Sequence, residues 1–309
     1  MKTLLALHSL AILAALLLPL SPVRAQPPGD GGAEGSDAAD PHGLAALAAI
    51  RSGGAAGIGF DSNPGNAEVG QTVPATAYAN LQLDASALRQ TGRDSALLLR
   101  ASADAQPYLR YAGLSNLRVG LQARELYRPA HGFYAPTYSL WASAAAIGAR
   151  SALRSGGEYR GGVAEAGQLS TAIALRLGAY VSEHDAGSDA MRLRHRAATA
   201  DIDWRWQPRL SSHAGYEYRV GSFVTSSPAD PGALALATAH QADDTLAIDG
   251  VANVLYRLNG YAHIATAGLN YALAPTLALD AQVQKIHTQA SGGDHYDRWL
   301  VELSLLQRF

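Results

Sequence analysis

Charged side chains recur at every second position within several apolar stretches of this sequence. Asp201, Asp203 and Arg205 follow this spacing in one stretch, and Glu217 and Arg219 follow it in the next. Successive side chains of a β-strand point to opposite faces, so the spacing places the charges of each strand on one face. A face of this kind can attract ions and polar solutes, or its arginines and carboxylates can pair with one another.

The same alternation extends over much of the chain and predicts one charged face on many strands. If the strands close into a barrel, that face lines the lumen. Barrels of about 8 strands are filled by side chains and barrels of about 16 leave a channel, so an intermediate size allows either outcome. The near balance of signs favours pairing and a constricted lumen. The predicted lumen charges are Arg100, Arg118, Arg124, Arg176, Asp201, Asp203, Arg205, Glu217, Arg219, Asp280 and Glu302.

The N-terminal 25 residues have the features of a secretory signal peptide. Lys2 precedes an apolar run over 4–18, and Val23-Arg24-Ala25 offers a small-residue cleavage site. Residues 26–54 are rich in Pro, Gly, Ala and Asp, which predicts a disordered periplasmic leader before a barrel over 55–309. The chain has no cysteine. Loss of Lys2 and Arg24 on cleavage leaves it mildly acidic, which argues against a nucleic-acid partner.

Turn signals divide the alternating stretches into about 12 strands, counted from the period-two pattern. The tight turns around Pro208 and Pro275 predict short periplasmic connections. An even number of strands must separate two turns on the same side, so 224–260 is predicted to be one long extracellular loop, with room for a local hairpin. The predicted fold class is all-β, a transmembrane antiparallel up-and-down barrel.

Three short motifs strengthen this interpretation. They are Phe-Asp-Ser-Asn-Pro at 60–64, Ala-Leu-Ala-Pro at 272–275 and Leu-Leu-Gln-Arg-Phe at 305–309. Together they resemble proteobacterial outer-membrane barrel families of largely uncharacterised function, akin to the barrel of surface lipoprotein assembly modifiers and to porins. The resemblance implies a Gram-negative outer-membrane protein in which Phe309 is part of the signal for the barrel assembly machinery. Residues 26–54 do not match the helical-repeat domain of the assembly modifiers, so the resemblance does not extend to lipoprotein translocation.

A second group of basic residues lies on the apolar parity of its strands, near the predicted outer rim. An arginine facing lipid costs about 2–4 kcal/mol at the bilayer midplane and about 0–1 near the interface. These residues therefore belong at the rim, where they can bind lipopolysaccharide phosphates, or in a loop, where they are simply solvated. The group comprises Arg192, Arg194, Arg196 and Lys285.

The sequence gives little sign of catalysis. His213 adjoins Ser211 and Ser212, but it lies near a predicted periplasmic turn and no orienting third group is evident. The histidines are scattered, and the stretch 185–189 lacks the ligand spacing of a calcium loop. We expect no enzyme activity, no catalytic residue, no metal site and no cofactor.

Two functions from different classes follow from these expectations. The first is a small channel or porin-like passage for small polar solutes. The second is a closed barrel with a surface-binding or assembly role through the loop 224–260. Both place the protein in the bacterial outer membrane, with lipid and lipopolysaccharide around it. The oligomeric state and the solute are not specified by any motif.

Overall fold

The computed structural model describes residues 49–69, 73–248, 251–290, 293 and 295–309. The predicted signal peptide and most of the predicted leader lie outside the described residues. Most of the described chain is antiparallel strand. No helix within the described ranges is long and apolar enough to cross a membrane.

Thirteen strands and one short α-helix are present in the described chain. The first seven strands are β1 Ala49–Asp61, β2 Thr76–Gln90, β3 Ser95–Gln106, β4 Asn116–Tyr127, β5 Thr137–Ala149, β6 Gly156–Gln168 and β7 Ile173–Ala186. The others are β8 Leu193–Gln207, β9 Leu210–Ser227, β10 Ala239–Ile248, β11 Val251–Ala274, β12 Leu277–Ala290 and β13 His295–Arg308, and helix α1 is Pro231–Leu236.

Twelve of these strands close into a ring. Each strand from β1 to β9 pairs antiparallel with the next, β9 pairs with β11, and β11 leads through β12 and β13 back to β1. Strand β10 is not a member of the ring. It pairs with the first part of β11, from Val251 to Arg257. The predicted fold, an antiparallel barrel of about 12 strands, is confirmed. Closure leaves no strand edge of the ring unpaired. Unpaired edges would be unstable in hydrocarbon, where no water can bond to their backbone groups.

The barrel begins earlier than the composition predicted. Strand β1 starts at Ala49 and pairs with β2 from the contact Ala49–Leu88 onward, so the boundary at residue 55 is wrong. The stretch 49–54 is rich in Gly and Ala, which have weak strand propensity. Backbone pairing with β2 and β13 on its two sides overrides that local preference.

The loop prediction over 224–260 is corrected at both ends. Strand β9 continues to Ser227 and β11 starts at Val251, so much of the range is strand. The prediction left room for a local hairpin in this range, and β10 forms one with the first part of β11. The ring still has an even number of strands, because β10 pairs with residues 251–257 of β11, whereas the ring strand β12 pairs with residues 260–274.

The two ends of the barrel differ. At one end, hereafter the turn end, the predicted tight turns join β8 to β9 and β11 to β12. Strand β1 begins and strand β13 ends at this same end. At the other, the loop end, longer segments contain helix α1 and three 3-10 turns, which are Ala112–Leu114, Ala152–Arg154 and Asp189–Met191.

The alternation predicted from sequence separates the two faces of the wall. In β13, Trp299, Val301, Leu303 and Leu305 are each between 43 and 48% exposed on the outside, whereas Ser304 is buried. Trp204, Trp206 and Tyr271 also face outward near the turn end. Aromatic side chains are typical of the interface levels of a membrane barrel.

Gly59 of β1 makes room for an aromatic ring on the inner face. It is paired with Tyr78 of β2, and a Cβ on Gly59 would overlap that ring. The ring is 3% exposed, packs 5.5 Å from Tyr108, and its hydroxyl donates to Glu302 at 3.2 Å. A strand glycine of this kind marks a close approach that no larger residue allows.

The Gly59→Ala variant is therefore expected to be destabilised by about 1–3 kcal/mol, the usual penalty of overpacking. The matched control is Gly161→Ala, because the nearest atom to its Cβ is the Trp141 backbone oxygen at 3.7 Å. Urea unfolding in phospholipid vesicles, followed by tryptophan fluorescence, measures both. Equal midpoints for the two variants would contradict the packing argument.

Candidate functional site

Glu158 on β6 binds two arginines on the inner wall of the barrel. Arg118 Nη2 lies 2.8 Å from Glu158 Oε2, and Arg160 Nε donates to Glu158 Oε1 at 2.6 Å. The two arginine side chains are 33% and 35% exposed, while the carboxylate is 10% exposed. Charge-assisted pairs of this kind hold the carboxylate in place and leave the guanidinium edges open to the lumen.

A second network joins β7 and β9 on the same side of the lumen. Glu217 Oε1 accepts hydrogen bonds from the Tyr180 hydroxyl and from Arg219 Nε, both at 2.7 Å. Arg219 Nη2 also donates to the Tyr180 hydroxyl at 3.3 Å. The Glu217 and Arg219 side chains retain 21% and 26% exposure, so solvent reaches this part of the wall as well.

Polar groups of β2, β3 and β13 face these networks from the other side of the ring. Glu302 accepts from Asn80 Nδ2 at 2.8 Å and from the Ser304 hydroxyl at 2.7 Å, besides its bond to Tyr78. Arg100 Nη2 lies 3.8 Å from Asp84 Oδ1. The inner wall therefore carries acceptors and donors on both sides of the lumen.

The other predicted lumen residues lie on inward positions nearer the turn end. Arg176 is directly opposite Asp201 in the β7–β8 ladder, and Asp280 accepts from Asn270 Nδ2 at 3.3 Å. Arg124, Asp203 and Arg205 stand at alternate positions that share the inner face of their strands.

Glu158, Arg160 and Tyr180 were missed by the sequence analysis. Gly161 and Gly162 dilute the apolar pattern of β6, so that strand gave the weakest alternation. The i, i+2 spacing of Glu158 and Arg160 is the signal that identifies the inner face of this strand.

A buried ion pair anchors the loop end. Arg298 of β13 donates from Nε to Asp61 Oδ1 at 2.9 Å and from Nη2 to Asp61 Oδ2 at 2.6 Å. The Asp61 side chain is fully buried and that of Arg298 is 19% exposed. The Tyr108 hydroxyl donates to Asp61 at 3.1 Å, and burial raises the pKa of Tyr108 to about 12. The phenol therefore remains a donor at all physiological pH values.

The Phe-Asp-Ser-Asn-Pro motif directs the β1–β2 segment inward. Asn63 Nδ2 donates to the Ala67 carbonyl oxygen at 2.8 Å, and the Ala67 N–H donates to Asn63 Oδ1 at the same distance. Beyond this turn, Ala67 forms a β-bridge with Ser226, and the Thr225 hydroxyl donates to the Asn66 carbonyl oxygen at 2.9 Å. The segment thus passes from β1 to the end of β9 across the opening of the barrel at the loop end, hereafter the mouth.

The β10–β11 hairpin crosses the same mouth from the opposite direction. Arg154 Nη2 binds Asp243 Oδ2 at 2.9 Å, with side chains 16% and 0% exposed. Next to it, Thr245 packs against Gly113, where an added Cβ would lie 2.5 Å from the Thr245 Cβ. Gly113 precedes β4, which lies half the ring away from β11. The hairpin therefore spans the mouth along a diameter.

Apolar packing closes the gaps beside this hairpin. Leu255 is fully buried against Ala190 and Val224, and Tyr256 is fully buried with Leu258 and Ala233. By contrast, the inward side chains of Arg118, Arg160, Glu217 and Arg219 are about a fifth to a third exposed. The charged inner wall is therefore accessible to solvent, and packed segments narrow the lumen at the loop end.

The predicted rim arginines separate into two environments. Arg192 follows the last 3-10 turn and pairs with Asp185 at 2.9 Å and Asp189 at 3.2 Å, and Arg194 pairs with Glu183 at 2.6 Å. Arg196 faces outward from β8, lower on the wall. The fourth predicted residue, Lys285, lies with Nζ 5.2 Å from the centre of the Trp299 ring on the outer face.

The part of the chain that the structure describes contains no group of three or more His, Cys, Asp or Glu side chains placed to hold a metal ion.

No protein-family model and no curated protein matches the chain. Among solved structures, an outer-membrane channel from Pseudomonas putida F1 has a TM-score of 0.52 at 13% identity and covers 87% of this chain and 99% of its own. The KdgM porin in complex with disordered oligogalacturonate has a TM-score of 0.45 at 8% identity, covering 83% of this chain and 99% of the porin. The NanC porin has a TM-score of 0.46 at 7% identity, covering 83% and 100%. The first of these similarities supports the barrel fold.

Proposed function

We propose that this protein is a Gram-negative outer-membrane barrel, exported through a cleaved signal peptide, that passes small polar solutes. The closed ring, its apolar outer face and its charged inner face support this placement, since a barrel with these faces is stable in hydrocarbon. The solved outer-membrane channel with the same fold adds support. No catalytic role is proposed for any residue.

The contrast between a solvent-accessible charged wall and a narrowed mouth carries the proposal. Balanced charge pairs along the wall, such as Glu217 with Arg219, offer both signs to a passing solute. The β1–β2 segment and the β10–β11 hairpin restrict entry at the loop end. A passage built this way is selective for the size of a solute at the mouth and for its polarity along the charged wall.

Conductance of the refolded mature protein in a planar bilayer tests the proposal. Steady steps that scale with salt concentration are the expected result, and the steps should be small because the mouth is narrowed. The same protein heated to the unfolded state before addition is the control. Absence of conductance, both from the intact folded protein and from a folded variant without its mouth segments, would rule out a channel.

Neutralising Glu158 is expected to shift the passage toward anions. The Glu158→Gln variant leaves Arg118 and Arg160 without their shared counter-ion. One unit charge at about 4 Å in water is worth about 1 kcal/mol, so the anion-to-cation permeability ratio should rise by up to about fivefold. Reversal potentials in a salt gradient measure the ratio. Glu183→Gln, which removes a carboxylate from the outer-face pair with Arg194, should leave the ratio unchanged.

A second candidate function rests on helix α1 at the loop end. Leu234 and Leu236 are 39% and 44% exposed there, although Asp230 caps the helix and fixes it against Tyr256. Exposed leucines on a fixed helix are typical of a contact surface. On this alternative the barrel is closed and binds a partner through residues 228–238.

Two further proposals concern assembly. Phe309 is 77% exposed, with its N–H donating to the Ser52 carbonyl oxygen at 3.0 Å. An exposed ring on the last paired strand supports recognition by the barrel assembly machinery. The motif likeness to surface lipoprotein assembly modifiers supports a shared barrel architecture and not lipoprotein translocation.

A further inference from the structure

A depression of about 460 Å³ opens on the outer face of the barrel, across β6 to β9. It exists because small residues interrupt an otherwise bulky wall. Gly161 stands on the outward parity between Tyr159 and Val163, which are 56% and 55% exposed. A Cβ at Gly161 would meet nothing closer than a backbone oxygen at 3.7 Å, so no side chain fills the space in front of it. Most of its lining residues are on the outward parity, among them Gly161, Val163, Val181, Arg196, Ala198, Tyr218 and Val220.

Arg196 lies on the loop-end side of this depression. In the β8–β9 ladder it is opposite Val220, while Ala198, two positions toward the turn end, is opposite Tyr218. The depression therefore continues from the arginine down the apolar wall, in the direction in which an acyl chain runs from its headgroup. In the described residues Arg196 has no carboxylate partner, unlike Arg192 and Arg194.

Arg196 lies near the loop end of β8, fourth along the strand and two positions from Arg194 on the same outward parity, which places it at the edge of the hydrocarbon. Polar residues on the outward parity mark the interface, since they are costly deeper in the bilayer. Two positions toward the turn end, Ala198 is opposite Tyr218, whose ring packs 5.2 Å from that of His263.

We infer that this depression holds one acyl chain of a phosphorylated glycolipid of the lipid A type, whose phosphate is bound by Arg196. The guanidinium group matches a phosphate in geometry and charge, and the apolar groove below it matches the chain. The occupant is a lipid of the leaflet at the loop end, because the groove faces hydrocarbon and not the lumen. The inference rests on the proposed outer-membrane location, but it does not require that the barrel conducts.

Lipid binding by the folded barrel in detergent tests the inference. Native mass spectrometry with added diphosphoryl lipid A reports the bound fraction, and phosphatidylcholine serves as the competing lipid. Arg196→Gln should weaken lipid A binding at least about tenfold, as expected when a charge-assisted contact is lost. Gly161→Leu, which places a side chain in the groove, should weaken it similarly.

Two matched variants keep the test specific. Arg194→Gln removes an arginine of the same strand face that is already paired with Glu183, and it should retain binding. Gly148→Leu adds the same side chain at an outward position on β5 outside the groove, where the nearest atom to a Cβ is 3.9 Å away. Equal loss in Arg194→Gln, retained binding in Arg196→Gln or Gly161→Leu, or full competition by phosphatidylcholine would each overturn the inference. Because binding is measured without conductance, its failure is separate from failure of the channel proposal.

Discussion

Replacement of residues 228–253 by an Asn-Gly turn will raise the single-channel conductance of the refolded protein severalfold. The two strands that flank this segment stay paired up to the contact between Ser227 and Val254, so a two-residue turn can join them. The replacement removes Asp243, whose bond to Arg154 ties the hairpin across the mouth. It also removes the Ala233 contact of Tyr256. Planar-bilayer recordings under identical salt conditions measure the change.

The control for this deletion lies at the opposite end of the barrel. Residues 128–136 join β4 to β5 at the turn end, and a shortened connection there should leave conductance unchanged. A single substitution, Arg154→Gln, should give an intermediate and noisier current, because the hairpin stays but loses its ion pair. A folded deletion variant that conducts no better than the intact protein would contradict the hairpin as the constriction. If neither the intact protein nor the deletion variant conducts, and only the intact protein binds a partner, the binding function is favoured.

Removal of one partner of the Asp61–Arg298 pair will destabilise the barrel by about 3–5 kcal/mol, the usual effect of an uncompensated buried charge. Asp61 is fully buried and accepts two hydrogen bonds from Arg298, so Arg298→Met leaves a carboxylate without its counter-ion. Asp61→Asn likewise leaves the Arg298 guanidinium without its counter-ion. Urea unfolding midpoints in phospholipid vesicles, followed by tryptophan fluorescence, give the free energies.

The double variant Asp61→Asn/Arg298→Met separates charge from packing. It should be more stable than either single variant, because replacing a whole buried ion pair by uncharged groups is often close to neutral. The control is Arg194→Met, which breaks an exposed pair with Glu183 and should cost about 0–1 kcal/mol. Additive losses in the double variant would show that the two side chains act independently.

The wall of the barrel was predictable from sequence because it depends on a local pattern. Alternation assigned the outward residues of β13, such as Val301 and Leu303, and the inward pair of Glu217 and Arg219. The pattern was weakest in β6, where Gly161 and Gly162 remove the apolar signal, and at 49–54 composition indicated a leader instead of a strand. In both places, pairing with neighbouring strands decides the structure, and pairing is not encoded in a single segment.

The mouth could not be predicted for a different reason. Its contacts join residues far apart in the chain, such as Arg154 with Asp243 and Asp61 with Arg298. Alternation gives the face of a residue, but it gives no information about which loop folds inward. The motif at 60–64 attracted notice as a family likeness, and its physical role is to turn the β1–β2 segment across the barrel.

The pairing of β1 with β13 has a consequence for biogenesis. Gly53 lies opposite Arg308, so the seam of the cylinder joins strands separated by almost the whole barrel sequence. Until the final strand has emerged, every partly formed sheet has two bare edges that invite aggregation. Contacts of such long sequence separation also form slowly. The sheet therefore loses its exposed edges only when the last strand meets the first.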